Sequence, residues 1–389
     1  MKYKYFSFFL IILLFSCNEV SRNGNTQSFE IKTAILSSDE EPIENYVDSV
    51  WYVPLETTEA SVLAPFNDYV LADTSIIILS NNELFRFNDK GKYHCKIEQH
   101  GQGPEDLGFI NDIVWNDERK ELYAWDGMNA KLLVYDECLN LKKIFPFRTS
   151  GVLLSKGNFL YIAKSRDDFL KKGTEYALES FDLQSGELKK LVKSRIPPIS
   201  PTERSMFSLN NRIYEYNGNI YLNEYLSDTI WRILPNSTDL TFAYHLNIGE
   251  IQPAHLDYPS NSEQGEIADK YIRIGMLYET DNHLFITVRY LKEFYSLACS
   301  KKDGSVILLA SSANNNCYDG GTPINRLIPL KGNVSCNIIW PEDLLQNDFI
   351  HRVEQTDVTN IKSQKNLLDL IDTLEEDDNP VLRYIKIKE

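Results

Sequence analysis

The chain has 389 residues, of which 43% are hydrophobic and 12% aromatic, and its 40 basic and 56 acidic residues give a net charge of −16. This length exceeds that of an average single domain, so several domains or one modular fold is expected. The acidity argues against binding to nucleic acid or to an anionic membrane surface, because both require positively charged patches.

The first residues have the pattern of an export signal. Lys2 and Lys4 precede the apolar run Phe8–Phe15, and a small residue then stands directly before Cys17. This order predicts a secretory signal peptide over residues 1–16, of the bacterial lipoprotein type, with a lipid on the sulfur of Cys17. The apolar run is shorter than the roughly 20 residues needed to span a bilayer. An ordinary cleaved signal or a buried segment is the alternative.

Residues 17–28 are polar and lack periodicity, which predicts a flexible tether before a folded domain at 29–389. Five cysteines follow Cys17, and no two of them form a CxxC pair, so a local zinc motif is absent from the sequence. Because an exported protein can form disulfides, Cys317 and Cys336 are the preferred pair.

Short β-like segments recur along most of the remaining chain. A strand, a polar turn and a second strand occur at Glu83–Ile97, Lys131–Ile144 and Ala177–Leu191, and less regular copies begin at Asp228 and Phe294. The first four copies follow one another at intervals of 48, 46 and 52 residues. A further strand pair precedes each copy, so each unit contains four strands.

A period near 50 residues with four strands per unit predicts an all-β protein, a six-bladed β-propeller. One four-stranded sheet cannot bury both faces alone, whereas radial stacking buries them all. Five units are visible, and the strand at Val50–Pro54 is predicted to pair with Val334–Ile339 to complete the sixth. A β-sandwich pair or an open β-solenoid is the alternative.

The C-terminal region has a different pattern. Leu367, Leu370, Ile371 and Leu374 follow helical spacing and predict an amphipathic helix at 363–376. A terminal strand at 381–387 is predicted after it. The helix is expected to pack on the rim or side of the propeller, and a separate recognition helix is the alternative.

Three features together resemble a large, mostly uncharacterised family of six-bladed β-propeller lipoproteins from Bacteroidota. They are the segment Leu14–Cys17, the loop Gly101–Leu107 and the ending Asp378–Leu382. The family loop usually reads Gly-x-Gly-Pro-Gly-Glu-aromatic, whereas this chain has Glu105 at the third glycine and Leu107 at the aromatic position. The resemblance covers the mature chain and implies a fold and a location, but no reaction.

The candidate ligand-binding residues lie in loops that should share one face. Turns between the second and third strands of a blade and connections from one blade to the next end on the same side of a propeller. The loop Gly101–Leu107 is either a structural connection or a ligand contact, since amides beside glycines can bind anions. The predicted ligand-binding residues are His100, Gln102, Glu105, Asp126, Arg166, Arg204, Tyr225 and Tyr290.

Catalysis has little support in the sequence. The six histidines form neither an HxH nor an HExxH motif, and there is no GxSxG motif, so no catalytic residue, metal ligand or cofactor is assigned. The predicted function is a lipid-anchored envelope scaffold or binding protein, in the outer membrane and facing the periplasm or the exterior. Its partner would be a peptide, a protein or a glycan. The alternative is a metal-dependent propeller lyase or hydrolase with a central-channel site.

The lipid anchor can be tested directly. Replacing Cys17 with Ala removes the sulfur that would carry the lipid, so incorporation of a radioactive fatty acid and retention in the membrane fraction should both be lost. Undiminished label in the Cys17→Ala protein would rule the anchor out.

Overall fold

The computed structural model describes residues 27–37, 39–66, 68–97, 103, 105–149, 151–164, 176–195, 211–234, 239–253, 262–310, 316–325 and 327–389. Their strands form six sheets arranged as the blades of a six-bladed β-propeller, as predicted. Cys17 and most of the predicted tether lie outside the described residues. The first strand begins at Gln27, two residues before the predicted domain start.

The N-terminal segment contributes strands to three blades. Its elements are β1 (Gln27–Phe29), α1 (Ile31–Ile35), β2 (Glu40–Pro42), a 3₁₀ turn (Ile43–Tyr46) and β3 (Val47–Pro54). Blades 1 to 3 follow in chain order. They comprise β4 (Asp68–Leu71), β5 (Ser75–Ser80), β6 (Glu83–Asn88) and β7 (Tyr93–Ile97), then β8 (Ile110–Asn116), β9 (Glu121–Asp126), β10 (Lys131–Asp136) and β11 (Leu141–Pro146), then β12 (Val152–Lys156), β13 (Phe159–Ala163), β14 (Tyr176–Asp182) and β15 (Leu188–Lys193).

Blades 4 and 5 have the same four-stranded plan, and a short helix lies between them. Their elements are β16 (Arg212–Tyr216), β17 (Asn219–Asn223), β18 (Thr229–Ile233), β19 (Leu240–Leu246), α2 (Ser262–Ala268), β20 (Arg273–Glu279), β21 (His283–Tyr290), β22 (Glu293–Ser300) and β23 (Val306–Ala310). The segment of blade 6 contains β24 (Pro329–Lys331), β25 (Val334–Ile339), α3 (Pro341–Leu344), α4 (Asn347–Gln355), α5 (Ile361–Ile371) and β26 (Val381–Ile387).

The middle strands have apolar residues on both faces. Ile76, Ile77 and Ile78 in β5 are consecutive and fully buried, although successive side chains of a strand point to opposite faces. This pattern arises because each blade packs between two neighbours. The outer strand β15 has mostly exposed positions instead, since it faces solvent at the rim. The repeat units found in the sequence are therefore blades, and each copy supplies third and fourth strands.

The ring is closed by strands from both ends of the chain. Blade 6 has the order β24, β25, β26, β3, so β3 is its outermost strand. The predicted partnership of β3 with β25 identified the correct blade but the wrong neighbour, because β26 lies between them. Before reaching blade 6, the N-terminal segment adds β1 to blade 4 and β2 to blade 5 as parallel outer strands.

The three helices α3 to α5 form an insertion between the second and third strands of blade 6. The predicted helix at 363–376 is observed two residues earlier and ends at Ile371, while the terminal strand β26 occurs as predicted. Leu367 and Ile371 are buried against Tyr52 of β3 and its neighbours, which places α5 on the side of the propeller. Asp319 fixes this arrangement by accepting hydrogen bonds from Tyr52 at 2.8 Å and from Ser363 at 3.3 Å.

The predicted disulfide is wrong. Cys317 and Cys336 are both free thiols, as are the other three cysteines of the described residues. Cys336 and Cys299 are buried in the blade cores, where they act as small apolar side chains.

Within the described ranges, no helix has the length and hydropathy required to cross a membrane.

Ring closure can be tested at the centre of its seam. Ile385 of β26 is 0% exposed, lies opposite Val50 of β3 and packs with Ile43. Ile385→Ala should lower the free energy of unfolding by about 2–5 kcal/mol, because it leaves a cavity between both chain ends. Ile361, which is 75% exposed on α5, provides the same substitution at a solvated position, with an expected loss below about 0.5 kcal/mol. Equal losses in urea denaturation would contradict the proposed role of the seam.

Candidate functional site

The blade-to-blade connections and the turns between second and third strands share one face, as the antiparallel strand order requires. Hydrogen bonds confirm this: Asn82, in such a turn of blade 1, accepts from the Ile110 amide at 2.8 Å, and the Leu291 amide donates to the Asp269 carbonyl at 2.8 Å. We call this side the mouth face. It contains every predicted ligand-binding residue that the structure describes.

Hydrogen bonds hold the described part of the loop Gly101–Leu107 in place. Lys131 donates to the Asp106 carbonyl at 2.6 Å and to the Gly103 carbonyl at 3.3 Å, and the Gly103 amide donates to the Asp106 carboxylate at 2.8 Å. Leu107 is buried in the core between blades 1 and 2. These contacts give the described part of the loop a structural role, and Glu105, a predicted ligand contact in this part, is exposed.

Asp126 has a different role from the predicted ligand contact. Its side chain is 0% exposed, and its two oxygens accept hydrogen bonds from the amides of Gly108, Phe109 and Asn129 and from the Asn129 side chain. All of its accepting capacity therefore serves the connection into blade 2. His100, Gln102, Arg166 and Arg204 lie outside the described residues.

Tyr225 and Tyr290 are brought together at the boundary of blades 4 and 5. Tyr225 lines a small cavity of about 10 Å³, and Tyr290 lines an adjoining cleft of about 170 Å³. Ile248 and Ile272 contribute to both, so the two spaces share a wall. We call the smaller space the arginine cavity and the larger one the tyrosine cleft.

Two arginines that the sequence analysis did not single out line the arginine cavity. Arg212 and Arg273 are the first residues of the inner strands β16 and β20, which places both at the mouth end of the central axis. The Arg212 guanidinium lies 5.6 Å from the Tyr225 ring centre, and desolvation lowers its pKa to about 10. Arg273 forms a 2.5 Å ion pair with Asp269. The sequence could have pointed to both arginines as candidate site residues, since each is the first residue of a strand that follows a long connection.

The mouth face also carries exposed apolar side chains. Phe294 is 79% exposed, and Leu291 is 52% exposed at a backbone φ of 51°. A leucine rarely adopts positive φ, because its Cβ crowds the backbone, so the turn that presents Leu291 is strained. Equivalent positions of blade 1 hold asparagines, which tolerate that geometry. The exposed apolar residues of this face include Val62, Phe109, Met128, Ile251, Ile267, Leu291 and Phe294.

Two carboxyl groups lie on neighbouring inner strands. Asp68 of β4 accepts from the Ile113 amide of blade 2 at 3.1 Å, and Asp112 of β8 accepts from the Leu153 amide of blade 3 at 3.0 Å. Burial raises the pKa of Asp68 to about 7 and, together with the nearby Asp68, that of Asp112 to about 8. Protonation removes the cost of burying two neighbouring negative charges, although the amide hydrogen bonds by themselves favour the charged form.

The histidines of the described ranges do not converge on the axis. His94 and His245 lie on outer strands, His283 begins β21 away from the mouth face, and His351 is on α4. Over these ranges no group of three or more His, Cys, Asp or Glu residues is arranged to hold a metal ion. His100 and His255 lie outside the described residues, so the predicted central-channel metal site stays a prediction.

Comparison with known proteins agrees with this fold. The architecture is that of a six-bladed β-propeller. The chain belongs to the family described as a domain of unknown function, DUF4934, whose pattern matches residues 26–386. A protein from Bacteroides fragilis NCTC 9343, named as exported, shares the fold with a TM-score of 0.69 at 16% identity, over 94% of this chain and 100% of that chain.

A second solved structure is more distant. A member of the DUF4221 family from Bacteroides vulgatus has a TM-score of 0.47 at 12% identity, over 88% of this chain and 97% of that chain. No functionally curated protein matches the chain.

The carboxyl pair predicts a specific pH dependence. Because folding raises the pKa of Asp112 from 3.8 to about 8, the folded state binds more protons than the unfolded chain between these values. Its stabilising contribution is complete below about pH 4 and is lost as the pH rises through about 8. Asp112→Asn keeps an oxygen for the Leu153 amide and carries no charge, so it should remove this loss.

The measurement is urea denaturation of both proteins at pH 5 and at pH 9. The free energy of unfolding of Asp112→Asn relative to the parent should rise over this interval by roughly 4 kcal/mol, because about three pH units separate pH 5 from the folded pKa of about 8 and each unit is worth about 1.4 kcal/mol. Asp348→Asn, at an exposed position of α4, is the control and should show no such rise. A difference that is independent of pH would contradict the assignment.

Proposed function

We propose that this protein is a lipid-anchored binding propeller of the cell envelope that holds its ligand on the mouth face, without catalysing a reaction. The observation that carries the proposal is the joint presence on that face of exposed apolar residues, the arginine cavity and the tyrosine cleft. A concave site lined by apolar walls with few polar groups is typical of ligand binding. Loops on a rigid scaffold commonly supply such residues.

The envelope location has two supports. The segment before Cys17 has the order of charged, apolar and small residues that directs export of lipoproteins. The Bacteroides fragilis protein of the same fold is named as exported. The net charge of −16 is compatible with attachment through a lipid, since an acidic chain is not attracted to anionic membranes as a whole.

The backbone strain at Leu291 favours binding over a purely structural role for the mouth face. A turn with positive φ at two successive residues suits asparagine or glycine, yet blade 5 has Leu291 and Lys292. Leu139 has a similar φ of 63° in a turn on the opposite face but is buried, whereas the turn at Leu291 exposes its apolar side chain to water. Contact with a ligand would offset the strain and this exposure.

The proposal can be tested with a binding screen. The purified chain is immobilised and exposed to panels of envelope peptides and of glycans, and at least one compound should bind. Phe294→Ser should weaken that binding by about 1–3 kcal/mol, because exposed aromatic residues at binding sites contribute most of the energy. Leu188, 41% exposed at the start of β15 on the opposite side of its blade, provides the control Leu188→Ser.

Two outcomes would overturn the proposal. Binding that Leu188→Ser weakens as much as Phe294→Ser does would place the site elsewhere. Tightly bound metal in the purified protein, whose removal abolishes turnover of a compound from the panels, would establish the enzymatic alternative.

A further inference from the structure

Several cations of the mouth face are paired with largely buried acids. In four places a lysine or arginine meets a largely buried carboxylate at 2.5 to 3.8 Å. These pairs are Lys131 with Asp126, Lys164 with Glu179, Arg195 with Glu224 and Arg273 with Asp269. Each pair ties a connection or a turn to a neighbouring strand, so the protein normally compensates a charge that it encloses here.

Arg212 departs from this pattern. Its Nε donates to the Gly275 carbonyl of blade 5, and its guanidinium faces the Tyr225 ring. Across the described residues, no carboxylate forms an ion pair with it. Removing a charge from water is costly unless an opposite charge compensates it. Desolvation lowers the pKa of this guanidinium, which is consistent with an uncompensated cation.

The surroundings of Arg212 define what could compensate it. The arginine cavity places Arg273 and Gln252 beside it, so planar donors converge on a small space. Guanidinium groups bind carboxylates through parallel hydrogen bonds. A cavity of about 10 Å³ is close to the smallest space that holds one water molecule, so one carboxylate oxygen, rather than a whole ligand, would enter it.

The tyrosine cleft lies next to this space, on the other side of Ile248 and Ile272. Five of its eight lining residues are apolar or aromatic, and the other three are charged: Ile248, Ile267, Ile272, Tyr271 and Tyr290, then Lys32, Glu250 and Lys270. Its volume of about 170 Å³ is similar to that of a cavity of about 150 Å³ that binds benzene, which suits one side chain. The exposed Leu291 belongs to the same turn as Tyr290 and extends the apolar surface outward.

We propose that Arg212 receives the C-terminal carboxylate of a peptide in the arginine cavity, and that the tyrosine cleft holds the last apolar side chain of that peptide. This inference rests on the proposed function and specifies its ligand. A sugar acid would also supply a carboxylate. The isoleucine walls and the exposed Leu291 favour a peptide, because these apolar surfaces suit an apolar side chain better than a ring of hydroxyl groups.

The test compares two forms of one probe. Short peptides with randomised apolar C-terminal residues are made with a free carboxylate and with a C-terminal amide, and binding to the purified full chain is measured by fluorescence polarisation. The free acids should bind at least about tenfold more tightly, because charge-assisted hydrogen bonds are lost in the amides. This preference should weaken as the salt concentration rises.

Variants test whether Arg212 causes the preference for the free acid. Arg212→Gln should abolish the preference for the free acid, while Arg352→Gln, the same change on α4 far from the mouth boundary of blades 4 and 5, should leave it unchanged. Leu291→Asn provides a variant whose turn is relaxed rather than disrupted, and it should weaken acid and amide alike by several-fold. The comparison of free-acid and amide peptides uses the parent protein alone. It would therefore still test the carboxylate assignment if Arg212→Gln failed to fold.

The possible results distinguish a failure of the carboxylate assignment from a failure of the proposed binding function. Equal binding of acid and amide, still weakened by Leu291→Asn, would overturn the carboxylate assignment and leave a binding mouth face. Binding of uronic-acid glycans with no binding of peptides would overturn the peptide assignment. A free-acid preference that survives Arg212→Gln would move the site away from the arginine cavity.

Discussion

The pairing of β3 with β26 is the constraint on which the whole structure depends. Each blade buries two faces only because a neighbour covers each of them, so an open ring would expose two apolar sheet faces at once. Blade 6 has three strands from the C-terminal end and one from the N-terminal end. The seam therefore makes the burial of every other blade possible, and it also fixes both ends of the chain against the ring.

The same closure explains the unusual course of the N-terminal segment. Before β3, the chain adds β1 and β2 to the outer edges of blades 4 and 5, with Ile31 and Ile43 fully buried beside them. These parallel additions cover strand edges that would otherwise offer unpaired backbone groups to another chain. The helical insertion strengthens the seam from the other side, since Asp319 joins Tyr52 of β3 to Ser363 of α5.

The chemistry of the mouth face depends on which of its charged side chains are compensated by other groups of the protein. Buried carboxylates such as Asp126 and Glu179 are saturated by amides, hydroxyls or lysines, so they serve the scaffold. Arg212 stands apart because its surroundings supply a backbone carbonyl and an aromatic ring instead of an acid. A charge that the scaffold leaves uncompensated beside an apolar cleft is suited to a ligand that carries both an anionic and an apolar group.

The sequence by itself determined the repeat, the number of blades and the face on which the connections lie. These depend on local alternation and on short hairpins, which neighbouring residues encode. Tyr225 and Tyr290 could be placed on the mouth face for the same reason. Glu105 was placed there too, whereas the burial of Asp126 could not be foreseen, since it depends on how the connection into blade 2 folds back over it.

Only the tertiary structure decided which strands meet at the seam, that Cys317 and Cys336 are free, and that Arg212 approaches Arg273. The two arginines are far apart in the chain and become neighbours because blades 4 and 5 pack side by side. Local periodicity carries no information on such contacts, because it is the same whichever blade a strand joins. The pairing of β26 with β3 is selected by the fit of residues such as Ile385 and Val50 across the closed ring.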